Sequence, residues 1–68
     1  MSKEIEELKE LAKIYRELAQ ILDEAVELEE DDNISDKEAE EKTEEMIGRF
    51  LIKSIKAKKI LEGIKWKH

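Results

Sequence analysis

Nineteen of the 68 residues are Asp or Glu, against thirteen Lys or Arg, one His and no Cys, so carboxylates are the first residues to weigh for chemistry. Carboxylates act as general acids and bases, or as ligands of a two-metal centre, where two or more converge in an apolar setting. The spacing argues otherwise. Glu6, Glu10, Glu17, Glu24 and Glu27 fall on one outer arc of a helical pattern, where a solvated face is expected. A di-metal bundle needs Glu-x-x-His on facing helices, and the chain's one His is His68. Asp31-x-Asn33-x-Ser35 opens like a calcium loop and then departs from it. Asp36 replaces the turn glycine, and Lys42 stands where the bidentate glutamate belongs. There is no phosphate-cradling glycine loop and no thiol nucleophile, and Tyr15 lies on an apolar seam where packing is the natural role. The expectation is a protein that is not an enzyme and holds no cofactor or metal.

The apolar residues specify the elements. No Pro and only two Gly interrupt a composition rich in Glu, Lys, Leu, Ile and Ala, as in helical proteins. Ile5, Leu8, Ala12, Tyr15, Ala19, Leu22 and Val26 alternate steps of three and four, and Leu11, Ile14, Leu18, Ile21, Ala25 and Leu28 do the same beside them. Together the two seams cover an apolar arc of about 160°. One partner helix covers less than that, so the first helix is expected to touch at least two neighbours.

The pattern breaks at Asp31–Ile34. Ser35 with Glu38 three residues on is a capping-box signal for a fresh start at Asp36, with Ile34 and Ala39 placed for a hydrophobic staple. So short a link demands antiparallel neighbours. The fold class expected is all-α, a two-helix antiparallel hairpin with helices over about 3–31 and 36–62, a turn at about 31–35, and a frayed basic tail over 63–68. It forms one domain that completes a bundle by self-association.

In the second helix Ala39, Thr43, Met46, Phe50, Ala57, Leu61 and Ile64 share an arc flanked by Ile47, Leu51 and Ile60, whereas Ile52 and Ile55 project to the far side. From Phe50 to Ile55 the helix is therefore apolar nearly all round. Gly48 costs about 1 kcal/mol against Ala in mid-helix and suggests a kink or a close crossing. Gly63 reads as the helix stop.

Charge is polarised along the chain. Residues 1–45 hold eighteen acids and six bases, and residues 46–68 one acid and seven bases. Folding the hairpin is expected to bring Lys53, Lys56 and Lys59 near Glu4, Glu7 and Glu10, leaving an acidic tip at Asp31, Asp32, Glu40 and Glu41. The basic segment comprises Lys53, Lys56, Lys58, Lys59, Lys65 and Lys67, with Trp66 among them. A second copy laid antiparallel would bring acidic tip to basic end.

Three functional readings follow. The first is a non-enzymatic interaction or structural protein that self-associates as a homodimer or higher oligomer through Ala12, Tyr15, Ala19, Leu22, Phe50, Leu51, Ile52 and Ile55. The second is an acidic mimic that occupies a partner's nucleic-acid site. The third is nucleic-acid binding through the basic segment, which the overall charge of -6 opposes. The first ten residues show no signal-peptide pattern, and no run reaches the roughly 18 apolar residues of a membrane span, so a cytoplasmic location without membrane partners is expected.

The segments LAKIYRELAQILDEAVELEE and EEMIGRFLIKSIKAKKIL resemble small acidic proteins encoded in prophages of Gram-positive bacteria. Those chains have a Leu-rich first helix, a Glu/Asp-rich turn and a second helix with a Gly-[RK]-Phe-Leu step, here Gly48-Arg49-Phe50-Leu51. The likeness covers most of the chain. It implies an accessory or structural role in a phage setting and transfers no catalytic residues.

Overall fold

A computed structural model describes residues 2–64. Two helices account for most of them: α1 over Ser2–Glu30 and α2 over Asp36–Gly63, matching the expected hairpin to within about a residue at most ends. The Cα trace measures 50 × 18 × 15 Å, an elongated shape with two helices side by side. Each helix therefore has one neighbour within the chain and two flanks that this neighbour cannot cover.

The turn is built from local hydrogen bonds. The Asp31 N–H donates to the Leu28 carbonyl at 3.3 Å, and the Asn33 N–H donates to Asp31 Oδ1 at 2.9 Å. Ser35 is in extended backbone and its Oγ accepts from the Glu38 N–H at 3.2 Å, so it caps α2 as expected. The capping box is only half made. Glu38 Oε2 turns forward to within 3.9 Å of Lys42 Nζ, one helical turn along, and no bond back to the Ser35 N–H is found among the described residues.

One of the two seams of α1 forms the core. Leu11, Ile14 and Leu18 pack with Ala57 and Ile64, and Phe50, Ile60 and Leu61 lean on this cluster. Ile21 and Met46 continue the buried strip toward the tip. Ile14 and Ala57 are the most enclosed, each 2% exposed. An alanine at 57 is what allows the helices to approach closely there.

Gly63 ends α2 as expected, and the close crossing expected at Gly48 is not found within the hairpin. Gly48 neither breaks α2 nor marks a crossing within the hairpin: a Cβ placed on it would meet nothing within 4 Å. Gly63 is the last helical residue, but it takes no left-handed conformation; the N–H of Ile64 bonds the Ile60 carbonyl at 3.1 Å instead. Ile64 is buried in the core, so packing reaches two residues into the segment expected to fray. Lys65, Trp66, Lys67 and His68 lie outside the described residues.

Candidate interaction surfaces

The two flanks of the hairpin differ in kind. Among the described residues, three ion pairs bridge the helices along one flank, in antiparallel order. Arg49 Nη2 donates to Glu24 Oε1 at 2.9 Å, Lys53 Nζ to Glu17 Oε1 at 3.3 Å, and Lys56 Nζ lies 3.5 Å from Glu10 Oε1. At about 100° per residue, Glu10, Glu17 and Glu24 fall on the same edge of the buried seam, which is why one row of cations on α2 reaches all three.

This row revises the expected charge layout. Glu10, Glu17 and Glu24 are half-buried seams of contact with α2, where the sequence suggested a solvated arc; Glu6 and Glu27 remain exposed. Lys56 finds Glu10 as anticipated, but Lys53 pairs with Glu17, further toward the tip than Glu4, Glu7 or Glu10. Glu7 lies instead beside Gly63. The Arg49 pair was not foreseen, because Arg49 sits within a run whose neighbours are apolar. Its hydrogen bond to Glu24 raises the guanidinium above its already high ordinary pKa; desolvation works the other way, and the charges of Glu24 and Glu45 add to the rise. Arg49 therefore stays charged throughout the accessible pH range.

The opposite flank is apolar. Ile5, Leu8, Tyr15, Leu22 and Val26 of α1 and Ile47, Leu51 and Ile55 of α2 are each between 42% and 56% exposed. Leu8, Tyr15, Leu22 and Val26 lie within about 40° of one another around α1. Between the helices on this side, Ile21, Leu22, Ala25, Ile47, Phe50 and Leu51 line an open groove of about 250 Å³ that is almost wholly apolar. Ile52 projects about 100° further round α2 than Leu51 and lies off this groove.

The proposed interface residues can now be placed. Ala12, Tyr15, Ala19 and Leu22 lie exposed along one seam of α1, and Leu51 and Ile55 are exposed on α2. Phe50 is half-buried, leaning on the core while it lines the groove. Ile5, Leu8, Val26 and Ile47 extend this surface. They were visible in the same three-four spacing, but without the hairpin register nothing separated exposed seam from buried seam.

At the tip Asp31, Asp32, Glu40 and Glu41 are exposed, and Glu24, Glu27, Asp31 and Glu45 surround a second cleft of about 380 Å³ that also holds Lys42 and Arg49. No group of three or more potential metal ligands occurs among the described residues, and none of their helices is long and apolar enough to cross a membrane. Of the basic segment, Lys53 and Lys56 are engaged in ion pairs, Lys58 and Lys59 are exposed, and Lys65 and Lys67 lie outside the described residues. No protein-family profile, curated protein or solved structure matches the chain.

Proposed function

We infer that this protein is a non-enzymatic interaction module, a helical hairpin that completes its core by associating with further copies of itself. The observation that carries this reading is the surface balance. A compact 8.0 kDa monomer exposes roughly 4,450 Å². The hairpin exposes 5833 Å², with nine large apolar side chains among the contributors. The excess, about 1,400 Å², exceeds the roughly 800 Å² per partner that a standard interface removes. A chain of this size without disulfides or a structural metal commonly reaches stability through such an interface. In the setting that the prophage resemblance implies, the assembled bundle would serve as an accessory or structural component.

Sedimentation equilibrium at micromolar concentration tests this. A dimer or higher oligomer is the expected result, and a stably folded monomer at these concentrations overturns it.

The exposed carboxylates of Asp31, Asp32, Glu40 and Glu41 favour a second reading, an acidic surface that competes for a nucleic-acid-binding partner. Changing these four to Asn or Gln separates the two: assembly survives under the first reading, and inhibition of the partner is lost under the second. Nucleic-acid binding through the basic segment ranks below both, since Lys53 and Lys56 are already paired within the hairpin.

A further inference from the structure

We propose that the second copy docks antiparallel on the apolar flank, α1 against α1 and α2 against α2, about a two-fold axis at the level of Glu17 and Lys53. The proposal rests on self-association and specifies its geometry. Its first support is the symmetry of the exposed seam. In an antiparallel contact of identical helices, residues i and j face each other when their numbers have a constant sum. Across the seam, Leu8 with Val26, Ala12 with Leu22, and Tyr15 with Ala19 each sum to 34, twice the position of Glu17. In two of these three pairs a large side chain meets an alanine. Such alternation lets facing rows interdigitate, and it occurs twice per pair because the axis duplicates each contact.

The second support comes from the other helix. The ion pair between Glu17 and Lys53 puts the two residues at one height in the hairpin, so an axis at Glu17 passes α2 at Lys53. About Lys53, Leu51 faces Ile55, the two numbers summing to 106, and both residues are exposed. One apolar pair on α2, Leu51 with Ile55, therefore fits the axis that the α1 seam selects. Both pairs of helices would then cross at the shallow angle of antiparallel bundles.

Charge makes the third argument. From Leu18 to Gly48, the half of the hairpin that contains the tip, there are thirteen acids and two bases. Residues 2–17 and 49–64, the open half, carry six acids and nine bases. An antiparallel dimer sets each acidic half beside a basic one. The alternative two-fold, along the helix axes, packs α1 against α2 of the other copy and holds both acidic tips together, where like charges repel.

The absence of Cys allows a single label to read the geometry. Asp32→Cys, an exposed turn position, is labelled with a nitroxide, and the distance between the two labels in the assembled protein is measured by pulsed dipolar spectroscopy. At 1.5 Å per residue, the antiparallel dimer places the labels about 45 Å apart, and the tip-to-tip dimer places them within about 25 Å. A monomer in sedimentation overturns self-association itself. A dimer with the short distance, or a trimer or larger ring, leaves self-association standing and overturns this geometry.

A size swap supplies the second readout. Ala19→Tyr alone and Tyr15→Ala alone should each weaken the dimer about tenfold or more, by overpacking and by a void respectively. The double variant Y15A/A19Y restores a large residue facing a small one across the axis, and its dimer constant should return to within about threefold of the parent. Failure of the double variant to recover, with its helices intact by circular dichroism, overturns the pairing of α1 with α1.

Discussion

Lys53 Nζ lies 3.3 Å from Glu17 Oε1, joining the middle of α2 to the middle of α1. The pair is about one-third exposed on both sides, with Arg49–Glu24 on its tip side and Lys56–Glu10 on its open side. Its consequence is register: a shift of α2 by one helical turn breaks the three pairs and lets at most two re-form with the next acid of the row. Partly exposed pairs contribute about 0.2–1 kcal/mol each, so the row selects an alignment more than it stabilises the fold. Glu17→Lys should therefore lower stability by at most about 1 kcal/mol, and Glu17→Lys with Lys53→Glu should recover most of it. Urea unfolding of the two single variants and the double variant checks this, and an unrecovered double variant removes the pair's role in register.

Gly48→Ala should stabilise the hairpin. The added Cβ meets nothing within 4 Å, and the substitution removes a helix penalty of about 1 kcal/mol. For a domain of this size that corresponds to a rise of about 4–8 °C in Tm, read by circular dichroism at fixed protein concentration.

Ser35→Ala removes the side-chain acceptor of the Glu38 N–H and should cost about 1 kcal/mol. Amide exchange should quicken first in Glu38 and its neighbours, while the middle of α1 keeps its protection. Uniform loss of protection along both helices would contradict a local capping role.

Ile14→Ala should cost about 2–5 kcal/mol, because Ile14 is 2% exposed at the centre of the core. That is comparable with the whole stability expected of a domain this small, so the variant should be largely unfolded at low concentration. Ile52→Ala is the control: at 70% exposure it should leave the hairpin's own stability nearly unchanged.

Leu22→Glu should separate folding from assembly. Leu22 is 56% exposed and lines the apolar groove, so a charge there leaves the hairpin core untouched and places an unpaired carboxylate in the proposed interface. The parent protein's Tm should rise with protein concentration, as for any coupled folding and association, and the variant's should not. Equal concentration dependence in both would place the contact elsewhere.

Much of the architecture is local and so was legible in the chain. Helix positions follow from three-four spacing, and the restart at Asp36 follows from Ser35, whose hydroxyl bonds an N–H three residues away whatever else the chain does. The candidate surface was half legible. Tyr15, Leu22, Leu51 and Ile55 belong to repeating apolar positions, but so do Ile14, Leu18 and Ile21, which are buried. Periodicity treats the two seams alike.

The sequence by itself determined two amphipathic helices, their break and cap, and an acidic tip set against a more basic open end. Only the tertiary structure decided which seam α2 covers, that Glu10, Glu17 and Glu24 face cations across the hairpin, and that Gly48 stands in open space. The physical reason is range. Spacing fixes the angle of each side chain around its own helix, whereas burial depends on the rotation and height of the other helix. Those are set jointly by the turn, by small residues such as Ala57, and by pairs such as Lys53 with Glu17, 36 residues apart in the chain.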